Sequence, residues 1–134
     1  MRWYLDTSVA LHAILPVRER RTRTWLDTII GQGHQVLAST LLELELIRAF
    51  RREGLDPGRA RPLLRRLDLV SIDDGVLRIA AAIEPHVRSL DAIHLATCSL
   101  LGSGLTVATH DLQMAGAARS LGFDTFDPVT AAGR

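Results

Sequence analysis

The sequence contains a single cysteine and no lysine, and only 4% of its 134 residues are aromatic. The lone Cys98 excludes an internal disulfide, and its apolar surroundings predict a small buried side chain rather than a reactive thiol. Because lysine is absent, all 16 residues of the Lys and Arg type are arginines, whose planar fork suits phosphate. A coding bias toward arginine is the simpler explanation of this usage.

Long hydrophobic runs and a strong net charge are also missing. The net charge of +1 gives no argument for a nucleic-acid partner. No apolar run approaches the roughly 18 residues of a membrane span. The N-terminal apolar run meets Asp6 too soon for a signal peptide. We therefore expect a cytoplasmic protein with no membrane contact.

Length and composition predict one globular domain over residues 1–134, with 47% hydrophobic and 23% charged residues. Predicted strands lie at 3–5, 35–39, 67–72, 105–108 and 123–126. Predicted helices lie at 7–15, 18–30, 40–53, 57–66, 73–84, 90–101 and 111–121. Asp56, Asp73 or Asp74, and Ser89 are the expected N-caps, and 128–134 is an expected frayed tail. This alternation predicts a mainly parallel sheet with helices on both faces.

Acidic residues follow two of the predicted strands. Asp6 ends the first strand, and Asp111 follows the fourth. If these strands are neighbours, both carboxylates face one cleft, because ligand sites collect at the carboxyl edge of parallel sheets. Each acid is explained equally well as a helix N-cap, and Asp91 as a favourable charge in the first turn of a helix.

Two glutamates lie in a strongly apolar helical run at 41–47. At least one of Glu43 and Glu45 must be partly buried, and a buried carboxylate needs a partner. Arg48 is three residues after Glu45 and can meet it on the helix surface. The helical phase of the run does not decide between the two glutamates.

Several carboxylates brought close together repel one another unless a cation joins them. Mg²⁺ or Mn²⁺ fits such a site, because both are hard ions that take oxygen ligands. The histidines do not have the spacing of zinc ligands. His94, three residues after Asp91, is predicted to be a buried supporting residue rather than a metal ligand.

Four short segments carry a family resemblance. They are YLDTS at 4–8, STLLELELIR at 39–48, SLDAIHLAT at 89–97 and THD at 109–111. In this order and spacing they resemble PIN-domain ribonucleases, and more closely the VapC-type toxins of bacterial toxin–antitoxin pairs. The resemblance implies a three-layer α/β/α fold with strand order 3-2-1-4-5, in which strands one and four are neighbours.

The resemblance also implies roles for individual residues. The acids that match the family's metal site are Asp6, Asp91, Asp111 and Glu45. Glu45 is selected over Glu43 because the family's glutamate precedes Leu-x-Arg, here ending in Arg48. Ser8 and Thr109 match hydroxyl positions that line the site. His110 stands where the family often has an aromatic, which would alter substrate contact.

The activity implied is that of a toxin that hydrolyses RNA phosphodiester bonds. Four acids would hold Mg²⁺ or Mn²⁺ and a metal-activated water. The partners implied are RNA, a cognate antitoxin and a second copy of the chain. Arginines 18, 20, 21 and 23, or those between 59 and 66, would track the RNA backbone or simply solvate helix faces. The apolar helices 41–50 and 76–83 would supply partner surfaces if they are not used for the core.

Two other functions are compatible with parts of the pattern. A catalytically silent PIN-like binding or regulatory module would use the same acids structurally. An aspartate-nucleophile phosphatase would place Asp6 at the end of the first strand. That chemistry normally uses a second acid two residues later, where Ser8 stands, and a lysine, which the chain lacks.

Overall fold

The computed structural model describes residues 1–16 and 20–132, and within them five strands form one sheet. The strands are Arg2–Leu5 (β1), Gln35–Ser39 (β2), Asp68–Val70 (β3), Leu105–Ala108 (β4) and Asp124–Phe126 (β5). Their order is β3-β2-β1-β4-β5, and all neighbouring pairs are parallel. The predicted α/β fold and strand order are confirmed, with β1 beside β4.

Helices connect the strands and cover both faces of the sheet. They are Thr7–Ile14 (α1), Arg20–Gly31 (α2), Thr40–Arg52 (α3), Arg61–Leu64 (α4), Asp74–Ala81 (α5), Ser89–Leu101 (α6), Leu112–Ser120 (α7) and Pro128–Ala132 (α8). A 3₁₀ turn, Pro57–Ala60, precedes α4. No helix in the described part of the chain is long and apolar enough to cross a membrane.

Strand β1 separates two hydrophobic clusters because its side chains alternate between the faces of the sheet. Trp3 and Leu5 belong to one cluster, which includes Phe50 of α3. Tyr4 belongs to the other, which includes Leu95 of α6 and the buried Cys98. The predicted burial of Cys98 is thus confirmed. Because β1 is the middle strand, its C-terminal end lies at the centre of the sheet edge formed by the carboxyl ends of the strands.

Three helical segments begin directly after an aspartate that caps their N-terminus, as predicted. The side chain of Asp73 accepts a hydrogen bond from Val76 N at 2.9 Å and caps α5. Asp111 accepts from Gln113 N at 2.9 Å and caps α7. Asp56 caps the 3₁₀ turn that begins at Pro57. These carboxylates satisfy N–H groups that have no partner inside the helix.

Three local predictions are wrong. Ser89 is the first residue of α6 rather than its cap; Arg88 holds the N-cap position without a side-chain cap. The fourth predicted helix is a 3₁₀ turn followed by the short α4, because Pro62 has no N–H with which to continue a helix. Residues 128–132 form α8 against α2 instead of fraying. The rest of the predicted tail, residues 133 and 134, lies outside the described residues. Arg18, where the second helix was expected to begin, lies outside the described residues.

Candidate active site

The carboxyl ends of β1 and β4 are tied together just beyond the sheet. Asp6 N donates to Ala108 O at 3.0 Å, which continues the β1–β4 ladder by one residue. Thr109 N donates to Phe126 O at 3.0 Å and continues the ladder to β5. The backbone therefore delivers Asp6 and the 109–111 segment to the same edge, as the adjacency of the strands predicted.

Asp6 is held by two hydroxyl groups through one of its oxygens. Ser8 Oγ and Thr109 Oγ1 each donate to Asp6 Oδ2 at 2.8 Å. The same hydroxyl oxygens accept backbone N–H groups, Ser8 from His110 at 3.1 Å and Thr109 from Asp111 at 3.0 Å. This network fixes the buried Asp6 carboxylate and leaves Oδ1 for other contacts.

Glu45 is the glutamate that reaches this site. Its Oε1 accepts hydrogen bonds from Thr7 Oγ1 at 2.6 Å and from His94 Nε2 at 2.9 Å. Arg48 is exposed, and the described residues contain no ion pair between it and Glu45. Glu43 lines a separate groove with Arg61. The geometry therefore agrees with the choice of Glu45, but not with Arg48 as its partner.

His94 connects Glu45 to the buried face of β1. Its side chain is 1% exposed, and its Nδ1 lies 2.7 Å from the hydroxyl of Tyr4. Its Nε2 lies 2.9 Å from Glu45 Oε1 and 4.0 Å from Asp6 Oδ1. His94 is thus a buried, hydrogen-bonded histidine beside the acids, as predicted. We call Asp6, Glu45 and their donors the inner half of the cleft.

Asp91 and Asp111 form the outer half of the cleft together with an arginine. Arg88 Nε donates to Asp91 Oδ2 at 3.1 Å, and Arg88 Nη2 donates to Asp111 Oδ2 at 3.2 Å. The Arg88 side chain is 73% exposed. One guanidinium therefore bridges acids from α6 and from the loop after β4.

The electrostatics differ between the two halves. Burial raises the pKa of Glu45, but the hydrogen bonds from His94 and Thr7 outweigh burial, and the net pKa is lowered. Burial also raises the pKa of Asp91, and the charges of Asp6 and Asp111 raise it further; together they outweigh Arg88. The inner glutamate is thus stabilised as a carboxylate, whereas burial and the charges of Asp6 and Asp111 oppose the ionisation of Asp91.

Comparison with protein families gives this arrangement its context. The family model of the PIN domain matches residues 3–120. The chain belongs to the PIN-domain family. Its acids come from the four segments that carried the resemblance in the sequence, and its strand order is the one the resemblance implied.

This PIN domain is similar to two ribonucleases from Mycobacterium tuberculosis. It is 39% identical to Ribonuclease VapC47 over 131 residues, which cover 93% of the chain and 96% of the relative. It is 37% identical to Ribonuclease VapC46 over 128 residues, with the same coverage of 93% and 96%. These identities place the chain among the VapC-type members of the family.

Solved structures share the fold of this PIN domain. FitAcB from Neisseria gonorrhoeae matches with a TM-score of 0.70 and 24% identity, over 95% of this chain and 98% of that one. VapBC2 from Rickettsia felis, bound to a promoter DNA fragment, matches with a TM-score of 0.73 and 11% identity, also over 95% and 98%. At these identities the likeness supports the fold alone.

The donor set of the PIN-domain cleft fits a hard divalent cation. All four acids offer carboxylate oxygens, the ligands that Mg²⁺ and Mn²⁺ prefer. The Arg88 guanidinium stands between Asp91 and Asp111 and shows that this pair accommodates positive charge. Within residues 1–16 and 20–132, no three His, Cys, Asp or Glu side chains converge into a ready-made metal-binding group. For several of these acids to bind one cation directly, their side chains would have to move closer together.

His110 is placed differently from a residue that lines the cleft. Its ring lies 2.7 Å from Asp127 Oδ1 through Nδ1 and 3.1 Å from Thr22 Oγ1 through Nε2. Its side chain is 11% exposed and packs against the ring of His12. Only the backbone N–H of His110 reaches the inner half, through Ser8. Its role in substrate contact stays a prediction.

Sequence reasoning missed three residues of the cleft. Thr7 is predicted only as the start of the helix at 7–15, although its hydroxyl donates to Glu45. Tyr4 is predicted only as part of the strand at 3–5, although its hydroxyl contacts His94. Arg88 was not considered, although its position three residues before Asp91 allows contact on one helix face. That spacing was the one signal in the sequence that could have identified it.

Proposed function

We propose that this PIN-domain protein is a metal-dependent endoribonuclease that acts as the toxin of a toxin–antitoxin pair. The observation that supports it best is the way the inner carboxylates are held. Asp6 and Glu45 each have one oxygen fixed by two donors, while Asp6 Oδ1 and Glu45 Oε2 accept none of these bonds. Such anchoring directs the remaining oxygens toward an added cation and its water.

The proposed metal-holding residues are Asp6, Glu45, Asp91 and Asp111. A bound Mg²⁺ or Mn²⁺ would lower the pKa of a water molecule and stabilise charge on the phosphate. Burial and the charges of Asp6 and Asp111 raise the pKa of Asp91, as expected for a group of acids that needs an added cation. Ser8 and Thr109 would keep Asp6 in place while its other oxygen is used.

The protein's own groups would perform the remaining tasks of hydrolysis. Glu45, whose pKa is lowered, stays ionised and would orient the attacking water through Oε2. Asp6, held by Ser8 and Thr109, would be the central ligand. No nucleophilic side chain is needed for this chemistry, and the buried Cys98 is not part of the cleft.

Exposed arginines would bind the RNA backbone. On α2 they are Arg20, Arg21 and Arg23, and around α4 they are Arg59, Arg61 and Arg65. Arg66 pairs with Asp27 at 2.9 Å, so part of its charge is already compensated. Contacts of this kind make binding strongly dependent on salt. With few aromatics, recognition of a single-stranded or looped RNA would rely little on base stacking.

We also propose a cognate antitoxin and a homodimer as partners, with action in the cytoplasm. The resemblance of the four motifs implies the antitoxin, and a structure with the same fold, from Klebsiella pneumoniae, is a toxin–antitoxin complex. The apolar side chains of α3 mostly face the core, whereas Val76 is the buried residue of α5. Leu44 of α3 and Leu77 of α5 are 54% and 46% exposed. They are candidates for the dimer or antitoxin surface, and size measurement by light scattering would test the dimer.

The test is cleavage of a total-RNA pool by the purified full chain with Mg²⁺, Mn²⁺ or EDTA. We expect discrete cuts that need metal and disappear in Asp6→Asn. Asp124→Asn, which changes an exposed aspartate on β5, is the matched control and should cut normally. Full metal-dependent cleavage by Asp6→Asn would contradict the proposal. A folded protein that neither cuts RNA nor is stabilised by metal would indicate the silent binding module instead.

A further inference from the structure

A buried hydroxyl lies behind the acidic cleft. The side chain of Tyr4 is 0% exposed and packs in the apolar cluster with Leu95 and Cys98. A buried hydroxyl is costly unless it forms a hydrogen bond. The Tyr4 oxygen lies 2.7 Å from Nδ1 of His94, which is itself buried. Apolar packing alone would be supplied equally well by phenylalanine, so the hydroxyl calls for a separate explanation.

The donors and acceptors around His94 define its tautomer. An ionised carboxylate only accepts, so the 2.9 Å contact with Glu45 requires the proton on His94 Nε2. The neutral ring then has a lone pair on Nδ1, and the Tyr4 hydroxyl donates to it. This assignment satisfies both ring nitrogens and the phenol.

The other contacts of Glu45 and His94 agree with the same assignment. Glu45 Oε1 also accepts a hydrogen bond from Thr7 Oγ1 at 2.6 Å, so this oxygen is an acceptor for two groups. Thr7 Oγ1 lies 3.3 Å from His94 Nε2 as well. A directed chain therefore runs from the Tyr4 hydroxyl through His94 to Glu45 Oε1.

We propose that Tyr4 is a positioning residue of the active site: its hydroxyl fixes the His94 ring and thereby directs Glu45 Oε2 toward the cleft. The inference rests on the proposed function, because Glu45 matters for hydrolysis only if the cleft is catalytic. Tyr4 itself contacts neither substrate nor reacting atoms. It acts through two hydrogen bonds, in the way that supporting partners orient metal-site residues.

The first test is nuclear magnetic resonance of the His94 ring nitrogens in the full chain with EDTA. In the wild type we expect a protonated Nε2 and a hydrogen-bonded, bare Nδ1. In Tyr4→Phe the Nδ1 signal should shift to that of an unbonded lone pair. Cys98→Ala, which alters the same apolar cluster but removes neither the Tyr4 hydroxyl nor Glu45, is the control and should leave the signal unchanged. A proton on Nδ1 in the wild type, or no change in Tyr4→Phe, overturns the inference.

The second test is a double-mutant cycle on RNA cleavage. We expect Tyr4→Phe to lower kcat by about 10-fold or more with little change in KM, because an orienting partner is lost. In a Glu45→Gln background Tyr4→Phe should cause no further loss, since Tyr4 acts through Glu45. Equal losses in both backgrounds overturn the inference and leave a purely structural role.

The two tests separate this inference from the proposed function. If the wild type cuts RNA but Tyr4→Phe behaves like it in both tests, only the role of Tyr4 fails. If the wild type cuts no RNA with either metal, the proposed function fails. The nitrogen signals then still decide whether Tyr4 holds His94, and they can be measured on the wild type even if Tyr4→Phe does not fold.

Discussion

In the inner half of the cleft, Asp6 and Glu45 are held by hydroxyls and a histidine, whereas in the outer half Asp91 and Asp111 share one exposed arginine. The inner donors come from buried elements and fix individual oxygens. The outer bridge depends on a side chain that is 73% exposed and faces solvent competition. One cleft thus combines two carboxylates that the fold holds in place with two that can rearrange easily.

The largest effect is expected when the inner half is broken at His94. His94→Ala leaves a cavity and removes the partner of both the Tyr4 hydroxyl and Glu45 Oε1. We expect a loss of about 3 kcal/mol in the free energy of unfolding, measured by urea denaturation. His86→Ala changes an exposed histidine and should cost at most about 0.5 kcal/mol. Equal losses would show that the inner network does not stabilise the fold.

A smaller effect is expected from the hydroxyls around Asp6. Thr109→Val keeps the shape of a buried side chain but removes a donor to Asp6 and an acceptor for Asp111 N. We expect a loss of about 1–2 kcal/mol in stability and about a 10-fold weaker Mn²⁺ affinity by calorimetry. Ser8→Ala removes the other donor, which is less buried, and should cost less. The reverse order would contradict the assignment of Thr109 as the main anchor.

The pH dependence of stability should differ in sign between the two halves. Because folding lowers the pKa of Glu45, the ionised glutamate stabilises the fold at pH values above its ordinary pKa of 4.5. This stabilisation is lost as the pH falls through the pKa that Glu45 has in the folded protein. Folding raises the pKa of Asp91 above its ordinary value of 3.8. The protein therefore loses stability as the pH rises through the pKa that Asp91 has in the folded protein. In EDTA near neutral pH, Glu45→Gln should therefore destabilise the protein and Asp91→Asn should stabilise it, by thermal melting. Both differences should shrink in acid, and two changes of the same sign would refute the comparison.

The smallest effect is expected for the bridge in the outer half. Arg88→Gln should lower the melting temperature slightly at low salt, because Asp91 and Asp111 lose their shared cation. The difference should vanish at high salt, which screens exposed charges. Arg119→Gln, an exposed arginine bonded to Thr125, serves as the control and should show no such salt dependence. A large, salt-independent loss would mean that the bridge is structural.

Much of the fold was predictable because its signals are local. The apolar runs ending at Leu5, Ser39 and Ala108 gave the strands, and capping acids such as Asp73 and Asp111 marked helix starts. The errors occurred where a distant partner or a missing donor decides the outcome. Residues 128–132 fold because they pack on α2, and Pro62 interrupts the predicted fourth helix.

The site was predictable as a set of acids but not as a network. Asp6, Glu45, Asp91 and Asp111 were selected from motifs. In the structure His94 lies beside Asp6 and Glu45, and Arg88 bridges Asp91 and Asp111. The partner expected for Glu45 was the nearby Arg48, because local spacing favours it. The fold supplies Thr7 and His94 instead, which are 38 and 49 positions away in the sequence.

Local signals in the amino-acid sequence are enough to identify the chemical groups of the site, their order and the edge of the sheet at which they appear. Periodicity and capping act over a few residues, so they are legible in the chain. The packing of distant elements sets which oxygen of each carboxylate is anchored, places Tyr4 behind His94 and lets Arg88 bridge the outer acids. Tyr4 and His94 are 90 positions apart, and Thr109 and Asp6 are 103 apart. Such contacts depend on packing between elements, which no local pattern encodes.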